Sequence, residues 1–171
     1  HIEKISGKIN KRLGLLKRTK HLLPRNARLL LYNSLVLPIF DYADLIWGDK
    51  GNDTLMAKLQ ILQNKAAKLI LDRPLFSSAT SALHELGWKP LSNRRFYHRC
   101  LYVFKCLNNL VDYDVNFLYN RDIHNHDTRV KNKLRLPRVK RNWGKYIINI
   151  DYHAISDWNL LDEEITTSEI H

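Results

Sequence analysis

Residues 32–48 read YNSLVLPIFDYADLIWG, and residues 59–70 read LQILQNKAAKLI. The first stretch carries aromatic residues and one proline in an otherwise helical pattern. The second carries an apolar stripe with lysines on another side. Apolar side chains that recur every three or four positions are typical of helices that bury one face. The two stretches therefore predict a bundle of amphipathic helices.

Residues 2–22 predict the first helix of this bundle. Its apolar face recurs at helical spacing and comprises Ile2, Ile5, Ile9, Leu13 and Leu16. Basic residues occupy the opposite side, namely Lys4, Lys8, Lys11 and Arg18. One face of this helix is expected to pack and the other to meet solvent.

Two further helices complete the predicted bundle. The second runs over about 24–47, and Pro38 is expected to kink it. The third runs to about Leu71 from a cap at Asn52 or Asp53. Its apolar residues alternate between spacings of four and three, which is typical of helix-on-helix packing. We expect the three helices to be antiparallel.

The middle of the chain predicts two more helices. Ser78 is expected to cap a short helix that ends at Gly87. A longer helix follows over about 91–109. Its predicted buried stripe is Tyr97, Leu101, Phe104 and Leu107, whereas Arg94, Arg95 and Arg99 are expected nearer water.

The carboxyl-terminal region predicts a loop, a ribbon and a helix. Residues 120–133 show no apolar period and predict an exposed loop. Alternation in Leu134, Leu136 and Val139, and again in Tyr146, Ile148 and Ile150, predicts a two-stranded β-ribbon. A last short helix over 152–161 is expected to pack Ile155 and Trp158.

The predicted fold is mainly α: a small helical bundle, further helices, and a short two-stranded β-ribbon near the carboxyl terminus. Residues 1–72 are expected to form the three-helix bundle, and residues 73–119 are expected to form a helical extension packed on it. Residues 120–171 hold the basic loop, the ribbon and a short acidic helix. With 171 residues, of which 44% are hydrophobic, the chain can bury a core and is not a disordered tail.

The distribution of charge predicts a polyanionic partner. Lysine and arginine number 28 against 17 acidic residues, a formal net charge of +11. Residues 1–28 hold nine basic side chains against one acid, and 121–145 hold nine against two. Residues 151–171 reverse the sign, with six acids and no lysine or arginine. Concentrated basic regions indicate a field that orients a nucleic acid.

Three groups of basic residues are the candidate nucleic-acid contacts. The first helix and the turn after it supply Lys8, Lys11, Arg12, Lys17, Arg18, Lys20, Arg25 and Arg28. The third helix supplies Lys58, Lys65 and Lys68, which share one face away from the apolar stripe. The predicted ribbon supplies Arg138, Lys140, Arg141 and Lys145, which with Arg135 bracket Trp143. The alternative for each residue is that its charge only keeps the protein surface hydrated. For the predicted ribbon, a further alternative is that the acidic carboxyl-terminal tail folds back onto its basic residues.

Over most of its length the chain resembles the region after the polymerase palm in reverse transcriptases of non-long-terminal-repeat retrotransposons, the Jockey-like branch in particular. Residues 32–48 and 59–70 carry the resemblance, as does LHELGWKPLSNRRFYHRCLYVFKCLN at 83–108. It continues in Thr128-Arg129, Leu136-Pro137, Gly144-Lys145, Ala154 and Trp158-Asn159. The order and spacing of these residues carry the match.

The resemblance implies a thumb and a carboxyl-terminal extension of an RNA-directed DNA polymerase, with an endonuclease upstream. In that family the thumb is a helical bundle that closes over the minor-groove side of the primer-template duplex. The implied partners are RNA and DNA and the missing palm and fingers of the parent polymerase. The basic faces of the first and third helices become backbone contacts, while Tyr32, Phe40, Tyr42 and Trp47 become packing residues.

The family's catalytic aspartates are not matched in this chain. Tyr42-Ala43-Asp44 imitates the start of the family's catalytic box, but Leu45 stands where the second aspartate belongs. A palm needs paired aspartates on a hairpin to hold two divalent ions, whereas this segment is predicted to be helical. Asp41 and Asp44 are expected to act as caps or as partners for arginines. Magnesium is expected only in the missing palm, so we assign no catalytic residue, metal ligand or cofactor here.

Other readings of the sequence stay open. A free-standing helical interaction protein would bind a protein partner through apolar helix faces. A small metal nuclease would use His124 and His126, and a zinc site would add Cys100 and Cys106, which lack a close Cys-x-x-Cys pair. The two cysteines lie on different faces of a predicted helix, which indicates reduced thiols in a cytosolic or nuclear compartment. The short apolar runs predict no membrane segment.

Overall fold

The computed structural model describes residues 2–47, 53–111, 117–123, 129–138 and 149–166. The chain is mainly helical and forms two compact units, His1–Arg95 and Phe96–His171. The first unit holds α1 (Ile2–Thr19), a 3-10 turn (Lys20–Leu22), α2 (Arg25–Leu35), α3 (Leu37–Asp41), α4 (Asp44–Trp47), α5 (Asp53–Ile70), α6 (Ala79–Glu85) and the start of α7 (Leu91–Leu107). The second unit holds the rest of α7, a 3-10 turn (Asn120–Asp122), α8 (Asn149–Trp158) and α9 (Glu163–Thr166).

The predicted bundle is present in the first unit, where α1 packs against α2, α3 and α5. The apolar stripe of α1 is confirmed, because Ile5, Ile9, Leu13 and Leu16 are all buried. Side chains from α2, α3 and α5, from the residue between α2 and α3 and from the start of α7 complete this core: Tyr32, Val36, Phe40, Met56, Leu59, Leu62, Ala66, Leu69, Ile70 and Leu91. Burial of these residues is the main source of the unit's stability.

The single helix predicted over 24–47 is wrong, because the backbone breaks it into α2, α3 and α4. Pro38 lies in the first turn of α3, where its missing N–H costs no helical hydrogen bond. A second break follows at Ala43, whose φ of 53° lies in the left-handed region. The predicted kink is therefore a helix start, and a separate short helix, α4, begins at Asp44.

The connection after α5 belongs to the first unit. The Ser78 cap is confirmed, since its side chain accepts a hydrogen bond from the Ser81 N–H at 3.3 Å. The chain turns after α6 at Gly87, whose φ is +67°. Ala82 and Leu83 of α6 pack on Ala67 of α5. This packing ties α6 to α5 within the first unit, which extends to Arg95.

The buried face of α7 differs from the prediction. Tyr97 is 61% exposed, whereas Val103 and Cys100 are buried together with Arg95 and Arg99. Arg99 Nε donates to Asp157 Oδ2 at 2.6 Å, with both side chains buried within the second unit. The prediction failed because it placed every arginine in water, while this one has a carboxylate partner 58 positions away.

The second unit packs α8 against the later turns of α7 and against Leu134. Burial of Ile155 and Trp158 is confirmed. The Asn159 side chain accepts from the Leu134 N–H at 2.9 Å and donates to the Leu134 carbonyl at 2.8 Å. An amide side chain thus completes both backbone hydrogen bonds of a buried residue, which would otherwise cost free energy.

The predicted β-ribbon is not seen in the described residues. Among these, β-pairing is limited to one antiparallel bridge between Tyr119 and Leu134. Residues 139–148, which include most of the predicted second strand, lie outside the described residues. The placement of Ile150 in a strand is wrong, because α8 already begins at Asn149.

Candidate nucleic-acid interface

A basic groove runs along α1 in the first unit. It encloses about 650 Å³ and is lined by Lys4, Ile5, Lys8, Lys11, Arg12, Pro38, Ile39 and Tyr42. One wall comes from α1, and the other comes from α3 and the residue that follows it. None of the lining residues is acidic. We call this feature the α1 groove.

The α1 wall supplies four positive charges. Lys4, Lys8 and Lys11 recur at spacings of four and three, which places them on one side of the helix. Arg12 lies beside them, and all four side chains are exposed. Within the described residues none of the four forms an ion pair. Their charges therefore stay available to a ligand.

The opposite wall of the α1 groove is apolar and carries one exposed aromatic ring. Pro38 and Ile39 form its lining, and Tyr42 stands at the end of α3 with 74% of its surface exposed. The prediction that Tyr42 packs inside the bundle is wrong. Tyr32 and Phe40 are buried as predicted, and Trp47 is half-buried against the core.

The backbone at Tyr42 is held although its ring is exposed. The Trp47 indole N–H donates to the Tyr42 carbonyl at 2.6 Å. On the preceding residue, both carboxylate oxygens of Asp41 accept from Arg94, from Nε and Nη2 at 2.6 Å each. A bidentate arginine–carboxylate pair fixes orientation as well as distance. Both contacts fix the direction in which α3 ends and so position Tyr42.

Four of the predicted contact residues have partners inside the first unit. Lys20 pairs with Asp72, and Arg25 NH1 lies 2.9 Å from Glu85 Oε1. The other two donate to backbone carbonyls: Arg28 NH1 to Leu69 at 3.2 Å, and Lys68 Nζ to Leu75 at 2.7 Å. Arg73 also pairs with Glu85. These cations fasten the turn after α1 and the segment after α5, which is a structural use of the charge.

The remaining predicted residues of the first unit lie outside the α1 groove. Lys17 and Arg18 are exposed near the end of α1. Lys58 is exposed and Lys65 half-buried on α5, which contributes no residue to the lining. The structure therefore does not bring the lysines of the third predicted helix into the groove.

The second basic segment is only partly described. Arg135 and Arg138 are exposed on the extended chain that follows Leu134. Lys140, Arg141, Trp143 and Lys145 lie outside the described residues, as do His124 and His126. Nothing further is assigned to this segment.

The structure assigns Asp41 a structural use. The Asp41 carboxylate pairs with Arg94, which confirms the prediction that Asp41 is a partner of an arginine. Asp44 is buried at the start of α4, which confirms the predicted helical conformation of this segment. A buried aspartate on a helix does not match the paired aspartates of a palm, and no catalytic step is derived from it.

The two cysteines are free thiols in the second unit. Cys100 is buried beside Val103, which confirms it as a small core residue. Partial burial raises the pKa of the Cys106 thiol above its ordinary value. A raised pKa keeps this thiol protonated and unreactive at neutral pH.

Comparison with known proteins gave no match: no family model, curated protein or solved structure is similar to the chain. In the described part of the chain, no helix has both the length and the apolar character needed to cross a bilayer.

Two elements of the α1 groove were missed among the site residues predicted from the sequence. Lys4 was placed on the basic side of α1 but not among the contacts, although it continues the spacing of Lys8 and Lys11. Tyr42 was placed in the core because the helix was expected to continue past it. The signal that could have corrected this is Pro38, because a proline in the first turn of a helix allows a short α3 that ends at Asp41, directly before Tyr42.

Proposed function

We propose that the chain is the post-palm, thumb-containing part of a non-long-terminal-repeat retrotransposon RNA-directed DNA polymerase. It grips primer-template nucleic acid through the α1 groove, and the chemistry is performed by the missing palm. One observation carries the proposal: four exposed cations share a groove that has no acidic lining residue, and none has an ion-pair partner in the described part of the chain.

The length of the α1 wall suits one backbone of a duplex. Eight helical positions separate Lys4 from Arg12, which corresponds to about 12 Å at 1.5 Å per residue. Phosphates of one strand of a duplex are spaced by about 3.4 Å along its axis, so about three or four phosphates lie alongside this wall. The number of cations therefore matches the number of phosphates within reach.

A salt titration tests this proposal. Each neutralised phosphate of a duplex contributes about −0.9 to the slope of log K against log salt concentration. Three or four contacts predict a slope of about −2.7 to −3.6 for a labelled RNA–DNA primer-template duplex. The double variant Lys8→Gln with Lys11→Gln should reduce the magnitude of the slope by about 1.8.

The matched control is the double variant Lys89→Gln with Lys105→Gln, which removes the same charge from exposed positions that lie outside the groove and outside the predicted contacts. Its slope should equal that of the parent protein within about 0.5, because it removes no groove contact. Absence of duplex binding in dilute buffer would refute the proposal. Equal effects of the two double variants would also refute it, since only net charge would then matter.

A second candidate is a free-standing helical protein that binds a protein partner. It is favoured by two exposed apolar side chains between α5 and α6, Leu75 and Phe76, the latter 93% exposed. Apolar docking has a shallow salt dependence and a negative heat-capacity change. A shallow titration that is sensitive to Phe76→Ser would support this candidate over nucleic-acid binding.

A further inference from the structure

We propose that the α1 groove takes an unpaired nucleic-acid strand, with the phosphates on the α1 wall and one base stacked on Tyr42. This inference rests on the proposed function and adds the class of ligand to it. The juxtaposition that carries it is one exposed aromatic ring facing four exposed cations across a groove of about 650 Å³.

The two walls of the groove differ in chemistry, as the two edges of a single strand do. The α1 wall offers four cations beside Ile5, and the other wall offers Pro38, Ile39 and Tyr42. An unpaired strand can direct its phosphates to one side and an unstacked base to the other. A duplex encloses its bases between two backbones, so it can place phosphates on α1 but no base face against Tyr42.

The size of the groove also favours a strand. Pockets of about 300–1,000 Å³ hold small organic ligands, and the α1 groove lies within this range. A nucleotide or two is a ligand of that scale, whereas a duplex is too wide to enter the groove and contacts only the cations of the α1 wall. The groove is therefore matched to a short unpaired segment, such as a template that has left the primer or a strand end.

Tyr42 is positioned for stacking before any ligand arrives. Ala43 adopts a φ of 53°, which costs a residue with a Cβ about 1–2 kcal/mol. The Trp47–Tyr42 hydrogen bond and the Asp41–Arg94 pair hold the chain in this conformation. Strained backbone conformations cluster at active sites and ligand clamps. A ring whose backbone is already fixed loses little conformational entropy when a base stacks on it.

The test compares two single strands of equal charge. One is a 12-nucleotide deoxythymidine strand and the other is an abasic deoxyribose-phosphate strand of the same length. Stacking on one aromatic ring predicts that the parent protein binds the deoxythymidine strand roughly 5- to 10-fold more tightly, the lower part of the usual range, because Tyr42 is open to solvent on one side. The Tyr42→Ala variant should lose this preference, and Tyr42→Phe should keep it.

Tyr97→Ala is the matched control, because it removes an exposed tyrosine ring outside the groove. It should keep the full preference for the deoxythymidine strand. A strand with 2-aminopurine at one position gives a second reading on the unaltered protein, since stacking on tyrosine should quench its fluorescence. This reading does not depend on whether any variant folds.

The outcomes separate the two proposals. If the protein binds neither of the two single strands nor the duplex, the proposed function and this inference are both refuted. Salt-dependent binding with no preference for the deoxythymidine strand would overturn this inference and leave the proposed function standing. A preference that survives Tyr42→Ala would also overturn it, because the base would then be stacked elsewhere.

Discussion

The buried pair of Arg99 and Asp157 gives the largest predicted change in stability. The side chains are 6% and 1% exposed, and Nε lies 2.6 Å from Oδ2. Arg99→Met keeps an unbranched side chain of similar width but removes the guanidinium group, so the buried carboxylate of Asp157 loses this partner. Removal of one member of a buried pair costs about 3–5 kcal/mol, because the remaining charge stays desolvated and loses the attraction of this partner. We expect a loss of that size in the free energy of unfolding.

Urea denaturation followed by circular dichroism at 222 nm measures this loss. With a slope of about 2 kcal/mol per molar urea, the midpoint of the transition that includes α7 and α8 should fall by about 2 M. Arg135→Met is the matched control in the same unit, because Arg135 is exposed. Its midpoint should correspond to a change within about 0.5 kcal/mol.

A double variant tests the reasoning behind the magnitude. Arg99→Met combined with Asp157→Leu removes both charges and replaces them with apolar side chains. Such replacements are often neutral or stabilising, so the double variant should regain most of the loss. The reasoning is refuted if the double variant is as unstable as Arg99→Met, or if Arg99→Met costs less than about 1 kcal/mol.

Three smaller predictions concern stability. The hydrogen bond from Lys20 holds the pKa of Asp72 below its ordinary value of 3.8, so the pair stabilises the fold above that pH and the benefit is lost as pH falls below it. Thermal melts of the parent and Asp72→Asn should therefore differ at pH 6 and converge at low pH, and a constant difference would contradict this. Ala43→Gly should raise stability by about 0.5–1 kcal/mol in urea, because glycine adopts a positive φ without strain; a loss would argue against the strain. Asn159→Ala should cost about 1–3 kcal/mol by the same assay, since both backbone groups of buried Leu134 lose their partner; no change would mean that water replaces the amide.

The long amphipathic helices could be predicted from the sequence because the spacing of apolar residues within each segment is sufficient to identify a helix with one buried face. In α1 the stripe from Ile5 to Leu16 recurs without interruption, and in α5 the same holds from Leu59 to Ile70. Ser78 could be assigned as a cap because the hydrogen bond it accepts is only three residues away. Local periods and caps depend on neighbours in the chain, so they are readable before the fold is known.

The buried face of α7 could not be predicted in the same way. Burial of Arg99 depends on Asp157, and local sequence patterns do not identify a partner that lies 58 positions away. Counting only apolar residues selected Tyr97 for the core, although it is exposed. A buried ion pair can place charged residues on the buried face of a helix, and the spacing of the apolar residues in the sequence does not reveal this.

Only one of the two walls of the α1 groove could be predicted from the sequence. The basic wall follows from the spacing of Lys4, Lys8 and Lys11 on one helix. The other wall depends on where α3 ends, and the left-handed backbone at Ala43 sets that end. Because residues other than glycine rarely adopt such a backbone, the sequence favoured a continuous helix and placed Tyr42 in the core.

Lysine footprinting tests the central proposal most directly. The unaltered protein is acetylated with and without a 12-nucleotide single strand, and the extent of labelling at each lysine is measured by mass spectrometry. The α1 groove predicts protection of Lys4, Lys8 and Lys11, with Lys58 and Lys89 labelled equally in both samples. Equal labelling of the three groove lysines with and without the strand, or protection concentrated at Lys58 and Lys89, would contradict it.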